Sequence, residues 1–224
     1  MKEFWYLALK DLLIEFRTKQ MLNSMVIFSL LIIVIFNYSF SNMLYKVEIY
    51  DIAPGILWIA FTFAGMLGLS RSFASEKEDG CLDGLKLCPV DPSAIYLGKV
   101  SSNLMIMFII EAIIIPLFIV LFNFKNITGL SGLVVIVFLG TVGFIVVGTL
   151  FSALTVNMRT REILLPVILF PIIIPLIMSA VMGTRKVLMD GSIMSAVNEI
   201  RILVVYDIVF LIASLLVFEY IIED

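Results

Sequence analysis

From Met21 to Phe40 the chain carries no formal charge over the ~20 residues that a helix needs to cross a bilayer, and comparably apolar stretches recur five more times. No other feature limits the fold so strongly. In hydrocarbon every backbone N–H and C=O must be paired, so an uninterrupted apolar run of this length is a helix. The spans expected are 21–40, 54–70, 94–122, 129–156, 163–182 and 200–222. With 62% hydrophobic and 15% charged residues, the chain falls outside the range of soluble domains. The fold class read from the sequence is therefore an all-α integral membrane protein of six transmembrane helices, with residues 1–224 forming one membrane domain.

Within that frame three local features stand out. Residues 1–17 are not a signal peptide, because Glu3, Lys10, Asp11 and Glu15 interrupt the core such a peptide needs. Trp5, Leu9, Leu12, Leu13 and Phe16 recur at helical spacing, with Lys2, Lys10 and Arg17 near the polar face, which predicts an amphipathic helix in the headgroup plane. The fourth span is rich in glycine, and Gly140 and Gly148 fall roughly on one face, where another helix can approach closely. The fifth contains Pro166, Pro171 and Pro175, which predicts a kinked or broken helix, followed by a polar connection from Gly183 to Glu199.

Ten of the fifteen Lys and Arg fall in the N-terminal segment, the stretch from Arg71 to Lys99 and the turn near Arg159, all on one side of the membrane. The positive-inside bias then places both termini and the central stretch in the cytoplasm.

The chain has no histidine, which removes the usual general base, the commonest metal ligand and the usual haem ligand together. Cys81 and Cys88, if helical, lie about 10 Å apart along the axis, too far for a disulfide. No metal site and no catalytic residue is expected. There is no Walker phosphate loop, so any uphill movement takes its energy from an ion or from another polypeptide. The small net charge of -3 suggests no nucleic-acid partner. Two carboxylates fall inside spans, Glu111 and Asp207, and they are the candidates for a substrate path. Glu111 is placed toward the outer half, within reach of water or of Arg185 and Lys186.

The densest charge lies between Arg71 and Lys99. Glu76 to Asp79 precede apolar positions at Leu82 and Leu85, Asp79 is placed to cap, and Pro89 terminates, which predicts a short amphipathic helix between spans two and three. Such a helix can dock in a partner's groove through a few apolar anchors.

The run Glu76-Lys-Glu-Asp-Gly80, then Leu82, Leu85, Leu87 and Pro89, then Leu97-Gly98-Lys99 resembles the cytoplasmic loop between the second and third spans of ABC-2 type permeases. Together with Asp51-Ile-Ala-Pro-Gly55, Leu57-Trp58 and Glu78-Asp79-Gly80, it resembles the CcmB family of cytochrome c maturation permeases. That resemblance implies a non-catalytic inner-membrane subunit that forms a homodimer and binds two copies of an ABC ATPase subunit. It also implies a haem-handling membrane subunit, a periplasmic haem chaperone, haem as the candidate substrate, and ATP used only by the partner. The ATPase-coupling residues would be Glu78, Asp79, Gly80, Leu82, Leu85 and Leu87. Two other functions stay open on the residues alone: an ABC-2 exporter of lipid, drug or glycan, and a stand-alone ion-coupled carrier.

Overall fold

The computed structural model describes residues 2–40, 49–73, 91–124, 129–156, 158 and 160–223. Among these residues the chain is nearly all helical, with no strand. In order come α1 (Lys2–Thr18), α2 (Gln20–Phe40), α3 (Ile49–Ser72), α4 (Pro92–Leu121), α5 (Leu130–Thr155), α6 (Arg161–Asp190), a 3₁₀ turn at Ile193–Ala196 and α7 (Val197–Glu223). Six helical segments are long and apolar enough to cross a membrane, as the sequence predicts.

The helix ends follow local chemistry. Pro92 opens α4 at a position where its missing N–H costs nothing. At the other end Asn123 takes a left-handed φ of 53°, its N–H bonds to the Val120 carbonyl, and the Phe124 N–H bonds to that of Ile119. This is a Schellman closure with asparagine in place of glycine, and Phe124 completes it by packing on Phe118.

Two segments differ from the sequence reading. α3 begins at Ile49, so Pro54 lies inside the helix rather than at its start. The preceding turn is held from outside, by Tyr50 on the Phe124 ring and by Asp51 2.5 Å from Arg185. α6 is one helix through all three prolines, neither broken at them nor ended at Met182. Tyr206 of α7 donates to the Ile172 carbonyl and Ser179 to that of Pro175, so side chains bind the backbone of the proline-containing stretch from a neighbouring helix and from within it. The helix continues past Gly183 because Arg185 and Lys186 find carboxylates there. It stops at Gly191, whose φ of 67° lets its N–H close on the Val187 carbonyl.

α3 and α5 form the centre. Of their membrane-crossing windows 72% is buried, against 22% for α2 and 17% for the window that includes most of α7. They fit by alternating knobs and glycines: Trp58 fills the space over Gly140, Phe144 that over Gly65, and Leu69 that over Gly148. Gly140 and Gly148 do share one face, and α3 occupies it with side chains. A methyl group at any of the three glycines would sit 2.2–2.3 Å from the facing atom. In lipid, where burial of apolar surface does not itself drive helix association, such close fit holds spans together.

Candidate functional site

Among the described residues two polar assemblies stand out within the bundle, one where α3 ends and α4 begins and one against the middle of α5. The first is where α1 crosses the start of α4 and the end of α3. Lys99 is on the third turn of α4 and only 5% exposed. An ammonium in that position needs partners. Its Nζ lies 2.8 Å from Asp11 Oδ2, donates to the Ser72 carbonyl at 3.2 Å, and stands 5.3 Å over the Phe73 ring. That carbonyl is in the last turn of α3, where intrahelical donors run out. Asp11 reaches Lys99 because α1 packs on α4 at Gly98, where an added Cβ would be 3.0 Å from Leu7 Cβ and 3.1 Å from the Phe4 carbonyl oxygen.

One turn further along α4, Asn103 donates to Ser72 Oγ at 3.0 Å and to Thr149 Oγ1 at 3.1 Å, which adds α5. Ser152 donates to the Leu69 carbonyl at 2.6 Å. Four helices are thus bolted together around the point where α3 ends and α4 begins. A cavity of about 330 Å³ opens beside this cluster, with Lys10, Glu15 and Arg71 in its wall.

The second assembly flanks the middle of α5. Glu111 on α4 is 2% exposed, and its Oε1 accepts a hydrogen bond from Thr141 Oγ1. Asp207 on α7 is 9% exposed and lies against Gly143, where a Cβ would meet its Oδ1 at 2.3 Å. Positions 141 and 143 are about 200° apart around a helix, so the two acids address opposite sides of one turn of α5. Neither carboxylate oxygen of Asp207 has a hydrogen-bond partner in the described structure.

The expectation that Glu111 reaches Arg185 or Lys186 is corrected. Arg185 pairs with Asp51, and Lys186 lies 2.6 Å from Glu199 Oε1. Both cations sit on the last turns of α6, where the helix extension beyond Met182 carries them to the far rim instead of toward α4. The six residues expected to couple to an ATPase, Glu78, Asp79, Gly80, Leu82, Leu85 and Leu87, lie outside the described residues, as do Cys81 and Cys88. What the structure does place are their two flanks, Ser72 with Phe73 on one side and Lys99 on the other, in contact with each other and with α1.

Sequence reasoning missed the Lys99–Asp11 pair and the buried bond from Trp58 Nε1 to Thr184 Oγ1, 3.0 Å long. A signal existed for the first, since Lys99 is a lone cation seven residues past a proline helix start.

Comparison with known proteins agrees across the chain. A family model described as "CcmB protein" matches residues 2–221. The chain is 35% identical over 124 residues to "Heme exporter protein B" of Rhodobacter capsulatus, covering 55% of this chain and 56% of that protein. It is 29% identical over 135 residues to the protein so named from Paracoccus denitrificans, covering 60% and 62%. Against that from Escherichia coli K12 it is 31% identical over 106 residues, 46% of each. The matches thus span about half the length of these curated relatives.

Proposed function

The chain belongs to the CcmB family, and on that premise we propose that it is the membrane permease subunit of an ATP-driven haem exporter serving cytochrome c maturation. It works as a homodimer in the inner membrane, with both termini and the stretch between α3 and α4 in the cytoplasm. Two copies of an ATPase subunit bind that stretch through Asp79 to Leu87, and ATP is consumed there and not on this chain. A haem-handling membrane subunit and a periplasmic haem chaperone complete the complex, and haem is the group whose transfer the cycle drives. Residues 1–224 act as one ABC-2 type membrane domain, with α1 lying along the cytoplasmic interface.

The observation that carries this reading is the bolt at Lys99. A push delivered between α3 and α4 reaches the membrane only through the flanks of that stretch. Those flanks are tied to one another through Lys99 and Ser72, to α1 through Asp11, and to α5 through Asn103 and Thr149. A displacement there moves four helices as a unit. α1 also presents Trp5, Leu9, Leu13 and Phe16 outward as one apolar stripe while its other side packs on α4, which suits a helix half-sunk in the headgroup layer.

The test is co-purification. Leu82→Asp with Leu85→Asp should abolish recovery of an ATPase subunit with the chain and stop ATP-dependent maturation of c-type cytochromes. An intact complex with full turnover in that variant would reject the coupling role. An ion-coupled carrier acting alone, for which the two buried acids beside α5 are the favouring observation, predicts instead ATP-independent transport in liposomes that Glu111→Gln or Asp207→Asn abolishes.

A further inference from the structure

The window that includes most of α7 is the least buried of the six, at 17%, and the side that α7 does pack carries unmet polar groups. Leu203, Asp207, Ser214 and Phe218 fall on one face of the helix and all are buried. Among the described residues, every buried side-chain nitrogen or oxygen without a hydrogen-bond partner belongs to α7: both oxygens of Asp207, Ser214 Oγ and Glu199 Oε2. Ser214 lies beside the Tyr96 hydroxyl, whose own proton goes to the Val146 carbonyl at 2.7 Å. A buried polar atom left unpaired costs free energy, so a packed face short at three side chains is a seating that another arrangement can improve.

The joints that α7 makes differ in kind. The hydrogen bond from Tyr206 to the Ile172 carbonyl and the Lys186–Glu199 pair both go to α6, and neither crosses to α5. Against α5, at Gly143, α7 lays the Asp207 carboxyl and the Tyr206 ring. In lipid, where apolar burial does not hold spans together, a seam with an unfilled carboxyl in it is weak. The α3–α5 contact is the opposite case, with side chains fitted over glycines and Ser152 bonded to the Leu69 carbonyl. At its C-terminal end α7 inserts Phe218, 1% exposed, between the two flanks of the central stretch. Its ring lies 6.3 Å from that of Phe73 after α3 and 5.1 Å from that of Tyr96 in α4.

We propose that the seam between α5 and α7 is the joint that opens when those flanks are driven, with Phe218 as the residue through which α7 is moved and Asp207 as the group that opening brings to water. The inference rests on the coupling role argued above for the central stretch. Any change in the spacing of Phe73 and Tyr96 acts on Phe218 from both sides. α5 stays with α3 through the glycine fits, α7 is held sideways to α6, and the displacement is taken up where no bond resists it. Asp207 then leaves Gly143, and its oxygens gain the partners they lack in the closed seam.

The test uses the full chain with its ATPase subunit, in a Cys81→Ser, Cys88→Ser background, with spin labels at lipid-facing positions. Val134→Cys with Val209→Cys reads the α5–α7 seam, and Val134→Cys with Leu67→Cys reads the α3–α5 contact. A non-hydrolysable ATP analogue should lengthen the first distance by several ångströms and leave the second unchanged. Phe218→Ala should keep the complex but abolish the change, and Phe218→Tyr, which keeps the ring, should restore it. Asp207→Leu, of similar shape and without the unpaired oxygens, should raise the thermal midpoint and slow amide exchange in α7 about tenfold, the factor expected for relief of one unpaired buried group. An unchanged α5–α7 distance in a complex that still binds and hydrolyses ATP overturns the proposal, as does a distance change that survives in Phe218→Ala or an Asp207→Leu chain less stable than the unaltered one. If no ATPase subunit is recovered with the unaltered chain, the coupling role falls first and takes the proposal with it.

Discussion

Lys99 and Asp11 are 88 positions apart in the chain and 2.8 Å apart in space, both largely out of water. Removing one member of such a pair leaves the other charge buried without its counter-ion, which typically costs about 3–5 kcal/mol, whereas replacing both by apolar groups is often neutral. Asp11→Leu and Lys99→Met should each lower the thermal unfolding midpoint substantially. The double variant should be far less destabilised than the sum of the two, a coupling that a double-mutant cycle reads directly. If the singles add, the pair is not an energetic unit. Each residue was conspicuous alone, a cation in an apolar helix and an acid in an amphipathic one. Their pairing was not legible, because it depends on α1 folding back over Gly98, and nothing local to either residue records that crossing.

At the scale of elements, the α3–α5 contact is set by which residues lack a side chain. Gly140 admits the far edge of the Trp58 ring, and a Cβ there would be 2.2 Å from it. Gly140→Ala should therefore destabilise by about 1–3 kcal/mol, the usual cost of overpacking, and Trp58→Phe in the same chain should recover part of the loss by shortening the ring. Recovery absent in a folded double variant would show that the strain lies elsewhere. On the other side of α5, Gly143→Ala presses on Asp207 Oδ1 and on Leu176, and should loosen α7 from α5, measurable as faster amide exchange in α7. The existence of these helices was plain from apolar length alone. Their ends were not: α6 runs on to Asp190 because the charges after Gly183 meet Asp51 and Glu199 from other helices, a tertiary rescue invisible in a count of polar residues. Its three prolines likewise lie within one continuous helix, whose backbone at Ile172 is bound by Tyr206 of α7.

For the whole molecule, the Lys99 bolt ties the end that the proposed function places in the cytoplasm, the α3–α5 contact runs from Leu69 over Gly148 to Trp58 over Gly140 at the level of the two buried acids, and the Asp51–Arg185 and Lys186–Glu199 pairs lie toward the far face. A drive that enters between α3 and α4 is useful only if that end faces ATP, so orientation is the point on which the functional reading turns. The chain has its own reporters. Its only two cysteines, Cys81 and Cys88, are in the central stretch. A membrane-impermeant maleimide should label the unaltered chain in inverted vesicles and leave it unlabelled in intact spheroplasts. In a Cys81→Ser, Cys88→Ser background, Asp190→Cys, beside the turn that ends α6, should give the reverse pattern. Labelling of the native cysteines from outside would put the stretch away from ATP and remove the coupling mechanism, whatever the family. The charge bias that motivates this expectation, ten Lys and Arg against five, is independent of every contact in the fold, so agreement between the two would rest on separate physics.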